Sequence, residues 1–490
     1  MNQDGRHKLE NIYQVFCRKV PNLSRLDEQY GTKSLKQYLQ ALESGCRIPQ
    51  ARREGDAALK ESFYRACRNY AVPLIGAEKT AQMIHSFNSG VINTANHMNV
   101  DTVGAYIQGN LLFGAMMHQL QPENTVIPLL AAATVPLTTS TFPKGFICRN
   151  QLGELIKIPL FKARYDNCFV ANAPTLTPEN RKKAEAHLDK VGDCYLRDTM
   201  NSVLRQYYDG DSFYQLDTYS QQITRLNFRI SQQFVQDQAM QLVYIPMEEM
   251  ARNMIVEQIS NSSSIVYAML FSSTVSTAVL NILATDALLP RTDFFWGVDK
   301  NGRKCYLRYE CGKGYLIRDT YRNTLGDVYV CDDPEAVRTA LLSQKLIPTA
   351  YCSIMLFMLS GVMQQAIGGF FQIDYFQTLK RSLYALFKIS HGYIPHYIEE
   401  LESLYLSGPS VIGVQIGDSI FSAGLFELLY AGKIAPQHFQ KLLRISWKDS
   451  HLLSLQEMIF DLLPSLRAQS RQEAKNLRGV IDENNILFRI

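Results

Sequence analysis

Several things are scarce or missing in this chain of 490 residues, and each shortage narrows what it does. Neither charge sign dominates. With 50 Lys plus Arg against 46 Asp plus Glu, the net charge is +4, so the strongly basic face that nucleic-acid binding demands is not expected. The ten cysteines never form a Cys-x-x-Cys pair, which gives no support to a zinc ribbon or a thioredoxin-like motif; reduced thiols and no metal are expected. No apolar signal core follows the segment from Met1 to Lys8, so a cytoplasmic location is expected. No uninterrupted apolar run reaches the length of a membrane span. The two nearest, Ile265 to Leu289 and Ala350 to Phe371, carry polar side chains at short intervals, Asp286 among them, and read as buried core helices. Walker A spacing and Gly-x-Ser-x-Gly are both absent, which removes that phosphate loop and the hydrolase nucleophile elbow. No internal repeat or low-complexity tract is present.

What is present is an ordinary globular composition, 46% hydrophobic and 20% charged, in a chain long enough for more than one substructure. Tryptophan is rare, 2 residues, but 26 Tyr and 24 Phe suit well-packed pockets. The pattern predicts an α/β protein with a Rossmann-like parallel-sheet core and large helical additions. Residues 1–85 read as helices, from the apolar spacing of Leu35 to Leu42 and Ala57 to Tyr70. Residues 86–245 read as a first α/β segment carrying the site, with a helix from Pro174 to Tyr208 and an undecided stretch from Arg225 to Tyr244. Residues 246–375 read as a second α/β segment, with a helix from Met247 to Val256. In it, Phe294 to Val298 and Lys304 to Tyr309 form a hairpin around Asn301-Gly302. Residues 376–490 are expected to be mostly helical, ending in a strand from Asn485.

Polar groups able to do chemistry crowd the segment from Gly90 to Gly145. A strand start runs into the elbow Asn93-Thr94-Ala95-Asn96-His97, and in open α/β folds ligands bind beyond the carboxyl ends of the strands. Asp101 follows His97 by four residues, so on a helix its carboxylate would orient the imidazole. His97 is then a general base or an anion contact; the alternative is a helix-start histidine capped by Asn96 or Asn99. Gln108 and Asn110 either face the same cleft or solvate a helix. Thr139, Ser140 and Lys144 sit in a hydroxyl-rich loop suited to an anionic group, or to a surface turn. Gly312-Lys313-Gly314 reads as a β-turn rather than a phosphate loop. Gly368-Gly369, with Gln372 and Tyr375, offers close backbone approach and specific donors at the cleft rim, or else a helix-ending turn.

The order of Val91 to His97 and then Ile127-Pro128-Leu129-Leu130 resembles the start of the cysteine-adding bacillithiol synthase family. That family has a Thr-Gly-Gln-Gln-type elbow where this chain has Thr94-Ala95-Asn96-His97. Gly302-Arg303-Lys304, Leu346 to Ala350, and Gly368-Gly369 with Tyr375 are similar to its later order of features. The family's acidic and histidine cluster is replaced here by Thr138 to Thr141. The resemblance implies a Rossmann-like core that binds a nucleotide or a small polar metabolite. The functional expectation is a biosynthetic enzyme of the ligase or group-transferase kind. In it His97 and Asp101 do the acid–base work, and Asn96, Gln108, Asn110, Thr139, Ser140, Lys144, Gln372 and Tyr375 bind substrate. A non-catalytic interaction protein is the alternative, with the Tyr- and Leu-rich stretches Tyr393 to Leu406 and Phe421 to Leu443 as its partner surface.

Overall fold

The computed structural model describes residues 3–46, 55–138, 145–166, 168–190, 195–235, 240–299, 304–310, 314–318, 333–462, 477, 481 and 483–489. Its strands run in chain order β1 Val91–Asn93, β2 Val126–Ala131, β3 Gly145–Arg149, β4 Leu155–Pro159, β5 Gln241–Pro246, β6 Phe295–Val298, β7 Lys304–Glu310, β8 Gly314–Arg318, β9 Leu346–Pro348, β10 Gln365–Gly368, β11 Glu402–Tyr405, β12 Gly413–Ile416, β13 Ser419–Ser422 and β14 Ile486–Arg489. Five of them form one parallel sheet in the order β11-β10-β1-β2-β5. Helices flank this sheet, so the protein is α/β, and every segment after residue 85 contributes a strand to it.

The sheet is covered on both faces, as parallel strands require. β2 is buried along its whole length. Alternate residues serve opposite faces: Ile127, Leu129 and Ala131 enter one core, and Val126 and Leu130 the other. β5 divides in the same way, with Leu242 and Tyr244 on the first face and Val243 and Ile245 on the second. The helix Gly104–Leu120 lies in the first core and is buried on nearly all sides, so it has no polar stripe. The helices Ala57–Ile75, Met247–Gln258 and Ala350–Leu359 cover the second face.

Several sequence expectations need correction here. The stretch from Ile265 is not one helix but two, Ile265–Phe271 and Ser273–Leu283, bent by 76°. The stretch from Ala350 is a helix to Leu359 followed by β10, because short apolar runs do not by themselves separate helix from strand. Among the described residues no single helix is long and apolar enough to cross a membrane. The carboxyl-terminal region is less helical than expected: β11 closes one edge of the parallel sheet, and β12 and β13 form a hairpin that β14 joins. Gly417, at φ +56°, starts the two-residue turn of that hairpin, which needs positive φ. Tyr397, Ile398, Leu401, Phe426, Leu428 and Phe439 all enter the protein's own core, so the stretches offered as a partner surface are largely used internally. The undecided stretch from Arg225 is the end of the helix Tyr219–Ser231 followed by β5. The predicted hairpin exists as β6 paired with β7, although residues 300–303 of its turn, like Gly312 and Lys313, lie outside the described residues.

Candidate functional site

The sheet winds outward in two directions from β1, through β2 to β5 on one side and through β10 to β11 on the other. At such a reversal the connections leave a crevice beyond the carboxyl ends of the strands. A cavity of about 380 Å³ occupies that place. Residues following every strand of the sheet line it: Asn96 and His97 after β1, Ala132 after β2, Met247 after β5, Gln372 after β10, and Ser407 after β11.

Asn93 shapes the elbow. Its Oδ1 accepts from the Ala95 amide at 2.9 Å and from Asn96 Nδ2 at 3.2 Å, the local turn that asparagine makes with its own backbone two residues on. Beyond it, His97 bridges to Ala132, with the Met98 amide donating to Ala132 O and the Ala132 amide to Asn96 O, both at 2.8 Å. Across the crevice, Thr94 Oγ1 and the Gln372 amide are hydrogen-bonded, at 2.7 Å from Nε2 and 3.0 Å to Oε1. Gln372 folds back over Gly368, where a Cβ would collide with its side chain. Tyr375 OH donates to Gln372 Oε1 at 3.4 Å.

Two titratable groups reach the cavity wall from opposite ends of the chain. Burial pushes His97 down to about 4, so its imidazole is neutral at pH 7, with one ring nitrogen able to accept a proton. Glu457, on the helix Trp447–Leu462, accepts from the Gly104 amide at 3.0 Å and the Ala105 amide at 2.7 Å. It therefore satisfies two of the free amides at the start of the helix Gly104–Leu120. Burial raises Glu457 to about 7 against the opposing pull of these amides and of Arg149.

The structure brings Asn96, His97, Gln372 and Tyr375 together on one cavity. It does not bring Asp101, Gln108 or Asn110 there. Residues 94–103 are not helical, so Asp101 is not one helical turn from His97. Its Oδ2 instead accepts from Asn110 Nδ2 at 2.9 Å and from the Tyr244 hydroxyl. Asn110 also exchanges hydrogen bonds with Asn96, at 2.9 and 3.0 Å, which places Asp101 and Asn110 in a buried network behind the elbow. Gln108 is fully buried and spent on backbone: its Nε2 donates to Ile412 O and Ala423 O, and its Oε1 accepts from the Val411 and Ile412 amides, at 2.8–2.9 Å. Thr139, Ser140 and Lys144 lie outside the described residues.

Sequence reading missed Glu457, Thr94, Tyr106, Phe370 and Phe371 on the cavity wall. The two phenylalanines directly follow the flagged Gly368-Gly369 and were within reach; nothing local marks Glu457. Among the described residues there is no group of three or more His, Cys, Asp or Glu arranged to hold a metal ion. No protein-family model and no curated protein matches this chain.

Proposed function

We propose that this protein is an enzyme of small-molecule metabolism, of the group-transferase or ligase kind, built on a Rossmann-like core and using the crevice beyond β1 and β10. One observation carries the reading: the cavity sits at the carboxyl ends of all five parallel strands, where the winding reverses. The order of features shared with the cysteine-adding bacillithiol synthases agrees with it. Thr94, Asn96 and Gln372 offer neutral hydrogen-bonding groups that orient a polar substrate, and the neutral His97 offers a ring nitrogen to accept a proton from a substrate group. A nucleotide has less support than another small metabolite. Among the described lining residues there is no Lys or Arg, and the helix-start amides of Gly104 and Ala105 already serve Glu457.

A thermal-shift screen against nucleotides, amino acids, amines and sugar phosphates tests this. A ligand present at a hundred times its Kd is expected to stabilise the wild type by about 2.7 kcal/mol, and Gln372→Leu and His97→Ala are each expected to reduce that shift. A flat screen of folded protein, or a ligand whose effect survives both substitutions, rejects the cleft as the site.

A further inference from the structure

The cleft has one carboxyl group and a wall of rings, and the two together define a chemical class that the group-transfer reading leaves open. Among the described residues lining the cavity, Glu457 is the one carboxylate and there is no Lys or Arg. Tyr106, Phe370, Phe371 and Tyr375 line it with Glu457. His97 adds no competing positive charge because burial keeps it neutral.

Glu457 also borders a smaller neighbouring cavity of about 50 Å³, where Arg149 and Glu427 face it. Two carboxyl groups share this corner with one guanidinium, so one of the acids lacks a cationic partner, and burial without that partner raises both. Arg149 is further engaged with Gly153 O at 3.0 Å and over the Phe421 ring at 4.2 Å. A buried carboxylate with too little compensating charge is costly, and a cation entering the cleft relieves that cost. Aromatic faces hold cations through the ring quadrupole, most effectively where water is excluded.

We infer that the ligand of this cleft is a quaternary ammonium cation with an apolar body, held by Glu457 and enclosed by Tyr106, Phe370, Phe371 and Tyr375. This rests on the cleft being the ligand site. The apolar body packs on Ala132, Val135, Met247 and Ile354. Glu457 also turns phosphates away, since it occupies the amides that would otherwise receive them.

Calorimetric titration of the full chain with choline, its neutral isostere 3,3-dimethylbutan-1-ol, benzyltrimethylammonium and inorganic pyrophosphate tests the inference. Both cations are expected to bind, choline about tenfold more tightly than the alcohol, and pyrophosphate not at all. Glu457→Gln is expected to weaken cation binding by about tenfold and Tyr375→Leu by severalfold. Equal binding of choline and the alcohol, no binding of either cation, or unchanged cation binding in folded Glu457→Gln overturns it. Should Glu457→Gln fail to fold, Tyr375→Leu and Phe371→Leu decide, and unchanged binding in both is the overturning result. If the cations fail while an uncharged metabolite stabilises the wild type but not Gln372→Leu, the cation class falls and the cleft stands. A flat response to every probe removes both.

Discussion

Replacing Gln108 with leucine is expected to lower the unfolding free energy by at least about 3 kcal/mol, since a buried backbone group left unpaired costs about 1–3 kcal/mol and three are left so. The side chain is fully buried and joins the helix Gly104–Leu120 to the hairpin of β12 and β13. Leucine fills a similar volume but has neither the donors nor the acceptor. The Val411 and Ile412 amides and the Ala423 carbonyl then lose the partner they have here; Ile412 O keeps the Ala423 amide. Gly104 makes the same junction tight from the other side, since a Cβ there would collide with Ser422 Oγ and Ala423 O. Urea unfolding is the measurement. A Gln108→Leu protein within about 1 kcal/mol of wild type would show that water or local movement replaces the amide.

Asp101→Asn is expected to change how stability depends on pH. Burial raises Asp101 to about 7, against the hydrogen bonds from Tyr244 and Asn110 that favour its charged form. Its ordinary value is 3.8. Between those two values the folded protein keeps a proton that the unfolded chain releases, so this group's contribution is complete below pH 3.8 and is lost as pH rises through about 7. The loss approaches about 1.4 kcal/mol per pH unit and totals roughly 4 kcal/mol. Asparagine keeps an acceptor for Asn110 and Tyr244 and does not ionise. It places an amide where Oδ1 now has no hydrogen-bond partner among the described residues. Unfolding of both proteins between pH 4 and 8 should therefore show the variant gaining on wild type as pH rises. A constant difference would mean that Asp101 titrates near its ordinary value in the folded protein.

The part of the site legible in the sequence is the part built by neighbours. Asn93 turns the chain through its own side chain and so exposes Asn96 and His97 at the strand end, a pattern visible as a polar elbow after an apolar run. Gly368 admits Gln372 for an equally local reason. The pairing of His97 with Asp101 failed because it assumed a helix that begins only at Gly104, after an extended Val103. From the sequence Gln108 and Asn110 face the cleft or solvate a helix; both instead work inside the protein, because their partners come from Ile412, Ala423, Asp101 and Tyr244.

By itself, the sequence determined the α/β class, the helices before β1, the β6–β7 pairing and the closing strand β14, because apolar periodicity and turn residues act over a few positions. Only the tertiary structure decided that β1 lies between β2 and β10, that β11 is an edge strand rather than a helix, and that Glu457 reaches the cavity wall. Those outcomes depend on hydrogen bonds and burial between residues far apart in the chain, and such partners leave no spacing in the sequence from which they can be read.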